Sequence, residues 1–375
     1  MRKIFFALLS CPLLLTAQTK LPVIKARSKT VDIRNGSEFR KNWWTISPEI
    51  KPDVYKTSVK NEKVTFYTDI DSISFLVKPN AEYNFIILLN GKDTALTQIK
   101  YVQSKLDMLK NAARYNPADS RSIPAFTYQP FTDSNLVALR KGFNLDSIAG
   151  SASETARILN LLHWVHNLIP HDGNHENPAV KNAMSMIAEC KKDKRGLNCR
   201  GLSTVLNECY LAMGIKSRFV TCMPKDSVFD DCHVINLVYA TDLKKWIWID
   251  PTNNAYVMNE KGELLNIQEV RERLVNGQPL LLNPDANWNN KASQYKEDYL
   301  YQYMAKNLYR LECPLSSEYD SETWKNGKTI VYVELLPLDA YRQTPQKEVH
   351  TSTTGTQFTN YKTNNPAYFW TSPQP

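Results

Sequence analysis

Gly196-Leu197-Asn198-Cys199-Arg200-Gly201-Leu202 is the stretch on which the reading of this chain turns. Leu202, Val205, Leu206 and Cys209 recur on one helical face after it, and Gly214 is a suitable stop, so a helix is expected to start near Cys199 and run to about residue 213. Downstream, His233 lies in the apolar run Cys232-His233-Val234-Ile235-Asn236-Leu237-Val238-Tyr239, and Asp250 closes Trp246-Ile247-Trp248-Ile249-Asp250-Pro251. Both runs, with Arg218-Phe219-Val220 before them, read as successive antiparallel strands. A helix followed by such a sheet predicts an α+β core.

The three polar residues have the chemistry of thiol acyl transfer. A thiol at a helix N-terminus meets the positive end of the peptide dipoles, which favours thiolate. An imidazolium at His233 would favour it further, and Asp250 would hold the far ring nitrogen. Each has an ordinary alternative: a small buried Cys, a satisfied core His, a turn Asp before Pro. Their order on helix, strand and strand end sets the functional reading ahead of these.

Working outward, residues 20–102 read as an all-β, sandwich-like domain. Val64 to Thr68 and Ser72 to Val77 alternate polar and apolar, and Asn90-Gly91 between two such runs predicts a two-residue hairpin turn. Trp43-Trp44 and Tyr55 are read as core or interdomain aromatics ahead of a carbohydrate platform. Residues 103–150 read as a connector. Residues 151–310 read as the catalytic domain, opening with a helix in which Ser151 and Glu154 have capping-box spacing and which Pro170 ends. Further helices are expected at 268–275 and 294–308 and a strand at 329–336. Residues 311–375 form a C-terminal extension, loop-like from 343 onward.

Composition sets the class. With 42% apolar and 22% charged residues among 375, the chain reads as an ordinary globular protein of about two domains. Residues 1–17 have the basic, apolar and small-residue pattern of an export signal, with an apolar run too short to span a bilayer; Cys11 makes lipidation the lesser alternative. The expected location is periplasmic or extracellular, with no integral membrane segment after the signal is removed. The formal charge of +8 is spread along the chain, apart from Lys191-Lys192-Asp193-Lys194-Arg195, which gives no support to nucleic-acid binding. His163 and His166 share a helix face, yet no Cys or carboxylate set completes a zinc spacing, so neither metal nor other cofactor is expected. Six cysteines follow the signal. Cys209 is read as core, and Cys222 with Cys232 is the nearest pair for a bridge, although spacing does not fix connectivity.

Gly-Leu-Asn-Cys-Arg-Gly-Leu, then Met213-Gly214-Ile215-Lys216-Ser217-Arg218-Phe219-Val220, Cys232-His233-Val234 and Trp248-Ile249-Asp250-Pro251-Thr252 together resemble the transglutaminase-like superfamily, in an exported bacterial form, over roughly residues 150–260. The resemblance implies a papain-like α+β fold with Cys199 as nucleophile, His233 as general base and acid, and Asp250 as orienting carboxylate. It implies attack on a protein, peptide or peptidoglycan-type amide through a thioester. Water as acceptor gives a peptidase, amidase or deamidase; an amine gives a transglutaminase. The residues at Cys199 depart from the Gly-Gln-Cys-Trp pattern of animal crosslinking enzymes, which favours hydrolysis, and no acidic loop suggests their calcium dependence. Trp164 lies where some relatives use a tryptophan to support the oxyanion, but inside an expected helix. The alternative reading is a catalytically silent peptide- or glycan-binding module on the same fold.

Overall fold

Alternation of buried and exposed side chains builds the N-terminal part of the computed structural model, which describes residues 20–225 and 231–374. The export-signal pattern at 1–17, with Cys11, lies outside the described residues. Two units divide between Ser104 and Lys105. In the first, eight strands form two four-stranded sheets: Val23–Ala26, Glu82–Leu89, Asp93–Tyr101 and Asp53–Thr57 in one, Glu38–Thr45, Thr30–Asn35, Glu62–Tyr67 and Ser72–Val77 in the other. Val31, Ile33, Val64 and Phe66 from the second meet Phe85, Ile87 and Ile99 from the first in one buried cluster, so the unit is an all-β sandwich. The Asn90-Gly91 turn forms with φ of 54° and 67° at its two residues, but Leu89 pairs with Asp93, so Lys92 joins them in a three-residue loop. Trp44 and Tyr55 are internal, edge to face at 5.6 Å, whereas Trp43 is 54% exposed beneath the Arg40 guanidinium.

The second unit is α+β. A seven-stranded sheet runs in the order Lys245–Ile249, His233–Ala240, Ser217–Met223, Arg310–Pro314, Thr329–Leu335, Gln357–Thr363, Lys347–Thr351. All neighbours are antiparallel except Thr329–Leu335 with Gln357–Thr363. The helix Cys199–Ala212 packs on this sheet and is buried from Gly201 to Ala212, because the helices Ser134–Gly142, Glu154–Leu168 and Ala183–Asp193 cover its other sides.

Several expectations are corrected. Residues 103–150 are not a bare connector: Leu136, Leu139, Leu145 and Ala149 enter the core beneath Ile158 and Leu161. Residues 343–375 are not loop throughout, since two strands complete the sheet there; Val349, Phe358 and Tyr361 supply strand-forming side chains inside a Thr- and Asn-rich stretch. The helix cap is Ser153, whose Oγ accepts from Ala156 N at 3.3 Å, and Glu154 instead accepts from Thr241 Oγ1 at 2.5 Å. The six described cysteines are all free thiols. Cys222 is fully buried and sits opposite His233 in the ladder, so the Cys222–Cys232 bridge is not formed. The expected helices appear as Ile267–Asn276, with a capping box from Asn266 and Glu269, and as a wide π-helix over Glu297–Met304 that continues to Asn307. No helix among the described residues is long and apolar enough to cross a membrane.

Candidate active site

Asn198 starts the Cys199 helix. Its side chain accepts from Gly201 N at 3.1 Å, and Asn177 locks it from behind through Asn198 N (3.0 Å) and Asn198 Oδ1 (2.7 Å). The two glycines of the motif are there for room: a Cβ on Gly201 would lie 2.6 Å from Asn177 Oδ1, and one on Gly196 would lie 2.4 Å from the Pro170 carbonyl oxygen. That close approach allows Leu197 N to donate to Pro170 O at 3.1 Å and Asp172 N to donate to Leu197 O at 2.8 Å. The segment leaving the first long helix is thereby clipped beside the start of the second, and His171 comes to Cys199.

The helix is tied to the strand that bears His233. Ser203 Oγ donates to Val234 O and Asn236 Nδ2 donates to Ser203 O, each at 2.9 Å. His233 therefore sits at the strand start, 2% exposed, with Cys199 hydrogen-bonded to its side chain. Its Nε2 meets Asp250 Oδ2 at 2.8 Å, which leaves Nδ1 for the sulfur.

Asp250 ends the neighbouring strand, and the turn role and the site role read for it from sequence coincide. Its Oδ1 accepts from Thr252 N (2.9 Å) and Asn253 N (3.3 Å), which folds the turn after Pro251. Its Oδ2 accepts from Tyr299 Oη (2.6 Å) and Asn253 Nδ2 (2.9 Å) besides His233. A carboxylate buried this deeply needs its lone pairs filled, and here they are.

Electrostatics follow from the geometry. Burial alone would raise the Cys199 thiol, but hydrogen bonds from His171 and His233 and the His233 charge bring it down to about 6. Burial opposes the His233 imidazolium, yet the Asp250 charge and hydrogen bond, and then Cys199, lift it to about 10. Asp250 is held below the usual carboxylate range: burial works against it, and the His233 charge and the surrounding donors prevail. A thiolate–imidazolium pair is thus the favoured state near neutrality. Burial raises the other five described cysteines: Cys190, Cys209, Cys222, Cys232 and Cys313.

A cleft of about 280 Å³ opens beside the pair, with His171, His233, Asn253, Trp288, Tyr299 and Tyr303 in its walls. The structure thus brings Cys199, His233 and Asp250 together and adds partners that sequence reasoning missed. His171 lies in a Pro-Asp-Gly loop with no spacing motif of its own. Tyr299 and Trp288 come from distant segments and carried no local signal. His163 and His166 serve elsewhere. His163 Nδ1 meets Asn254 Oδ1 at 2.7 Å and His166 Nδ1 meets Pro251 O at 2.9 Å, so both brace the turn behind Asp250. Among the described residues no group of three or more His, Cys, Asp or Glu could hold a metal ion. Trp164 packs on Phe143, ring centroids 5.7 Å apart, at the edge of the helical core.

Residues 141–251 match the family model of the transglutaminase-like superfamily core. Among solved structures, a "Putative Cysteine Protease from Cytophaga hutchinsonii" is similar at 14% identity and TM-score 0.25, over 37% of this chain and 49% of that one. Red sea bream transglutaminase is similar at 12% identity and TM-score 0.22, over 62% of this chain and 49% of that one. The chain spans about half the length of each. No curated protein matches. The chain thus carries a transglutaminase-like α+β core preceded by an all-β domain.

Proposed function

We propose that this protein is a thiol enzyme that attacks amide or peptide bonds through Cys199, His233 and Asp250. The observation that carries the reading is the fully buried His233, hydrogen-bonded at once to Cys199 and to a carboxylate whose remaining lone pairs are filled. Binding alone would need no such pair. The Cys199 thiolate adds to the carbonyl carbon, forming the C–S bond and placing the electron pair on oxygen. The His233 imidazolium gives its Nδ1 proton to the departing nitrogen as the C–N bond breaks, leaving a thioester. Neutral His233 then takes a proton from water, which adds to the thioester and releases the acid, while Asp250 keeps the ring oriented throughout. Hydrolysis is the favoured outcome, with a peptide or peptidoglycan-type amide as substrate in an exported setting; transfer to an amine is the second.

A panel of glutamine-bearing and cell-wall peptides, incubated with and without dansylcadaverine as amine acceptor, tests the reading by mass spectrometry. Cleavage or deamidation without dansyl incorporation is expected, together with a loss of at least about 10⁴-fold in Cys199→Ala. Turnover that survives in Cys199→Ala would sink the mechanism, and dansyl incorporation would move the reading to transfer.

A further inference from the structure

His171 is a second histidine at the reacting sulfur, and beyond its help in lowering the thiol it has no part in the proposed cycle. Its tautomer is fixed. The indole N–H of Trp288, which can only donate, points at His171 Nδ1 from 3.1 Å, so Nδ1 offers its lone pair and the proton resides on Nε2. With Nδ1 occupied, Nε2–H is the group left for the side-chain hydrogen bond between this ring and Cys199. The backbone is held as firmly. Asn289 accepts from His171 N at 2.6 Å and donates to His171 O at 2.9 Å, while Pro170 and Asp172 on either side are bonded to Leu197.

This arrangement excludes two roles. His171 is no base, because its lone pair is engaged by Trp288. It is a poor acid, because loss of the Nε2 proton would leave an imidazolate. What remains is an N–H donor at the Cys199 sulfur, next to the point where thiolate addition moves charge to the carbonyl oxygen. Donors fixed in advance at such a point stabilise the transition state more than the ground state. Trp164, the other side chain considered for oxyanion support, is half-buried against Phe143 at the edge of the helical core.

We infer that His171 Nε2–H and the Cys199 backbone N–H form the oxyanion hole, and that Trp288 is the positioning residue that sets the His171 tautomer. This rests on the reading of Cys199 as an acyl-accepting nucleophile.

Two reagents separate the oxyanion from the thiolate on the full chain. p-Nitrophenyl acetate acylates Cys199 through a tetrahedral oxyanion: the C–S bond forms, the C–O bond breaks and p-nitrophenolate leaves. Iodoacetamide alkylates the same sulfur by displacing iodide, with no oxyanion. Limiting rates are compared at a pH where the thiolate is complete, so that thiol ionisation cancels, and modification is mapped to Cys199 by mass. His171→Ala is expected to slow acylation by about tenfold or more, against the roughly 10²–10³-fold range seen when oxyanion donors are removed, and alkylation by less than about threefold. His171→Gln, which keeps an N–H, loses less than the alanine variant. Trp288→Phe slows acylation selectively, and the ¹⁵N signals assigned to His171 gain an Nδ1–H population absent from His171 of the wild type. Equal losses with both reagents, or unimpaired acylation, overturn the inference. If His171→Ala does not fold, the glutamine and Trp288 variants carry the same comparison. A wild-type Cys199 that p-nitrophenyl acetate does not acylate overturns the thiol-enzyme reading itself, before His171 enters.

Discussion

His233→Ala should cut acyl transfer from p-nitrophenyl acetate or a peptide substrate by about 10³-fold or more at pH 6, while slowing iodoacetamide alkylation only about tenfold. The two figures differ because His233 does two things. As a charge, it helps bring the thiol down to about 6, so roughly half the protein holds thiolate at that pH. Raising the thiol toward its ordinary value near 8.5, with the His171 hydrogen bond still in place, reduces that population by at most about 150-fold. A more basic thiolate is also a better nucleophile, and with a Brønsted slope of about 0.4–0.5 this recovers about tenfold. As an acid and base, His233 also serves the leaving group and the attacking water, and that loss, typically about 10²–10⁴-fold, appears only with acyl donors. Above about pH 9 the alkylation defect should vanish and the acyl-transfer defect should persist. Equal defects with both reagents at all pH values would remove His233 from proton transfer.

Asp250→Ala should cost about 3–5 kcal/mol of stability, read as a lowered urea midpoint at an unchanged slope. Five donors converge on this carboxylate, from His233, Tyr299, Asn253 and the backbone of Thr252 and Asn253. Deleting it strands them in the interior and removes the partner of a buried imidazolium. The effect depends on pH in a definite direction. Asp250 is held below the usual carboxylate range, so its contribution is complete above the unfolded carboxylate pKa of about 3.9 and is lost as pH falls through the lower folded value. His233 acts in the opposite sense. Lifted to about 10, its contribution is complete below the unfolded value near 6.5 and is lost as pH rises through about 10. The wild type should therefore exceed Asp250→Ala most clearly between these limits, and the gap should narrow in strong acid. A midpoint within about 0.5 kcal/mol of wild type would mean that the carboxylate does not hold this network together.

What was legible in the sequence is what local chemistry writes down. The stripe of Leu202, Val205, Leu206 and Cys209 with Gly214 after it marks a helix beginning near Cys199, and the apolar runs around His233 and at Trp246–Ile249 mark two strands, so the order of the three residues could be read directly. The partners could not. His171 reaches Cys199 through a backbone clip to Leu197 that only tertiary structure makes, and Tyr299 reaches Asp250 from a wide helix with no capping or spacing signal. The His163 and His166 pair shows the converse: helix-face spacing invites a metal reading, while the fold uses both rings to brace the turn at Pro251. The strands after residue 343 were hidden because Thr, Asn and Gln suit loops and edge strands alike.

The most direct test of the central claim is the pH dependence of Cys199 alkylation by iodoacetamide in the wild-type protein, mapped by mass from about pH 4.5 to about 10, a span that brackets both the lowered and the ordinary thiol range. Selective labelling of Cys199 among the cysteines is expected, with the rate rising through about pH 6. A rise centred at the ordinary thiol range of about 8.5, or labelling spread over the other cysteines at about pH 6, would contradict it.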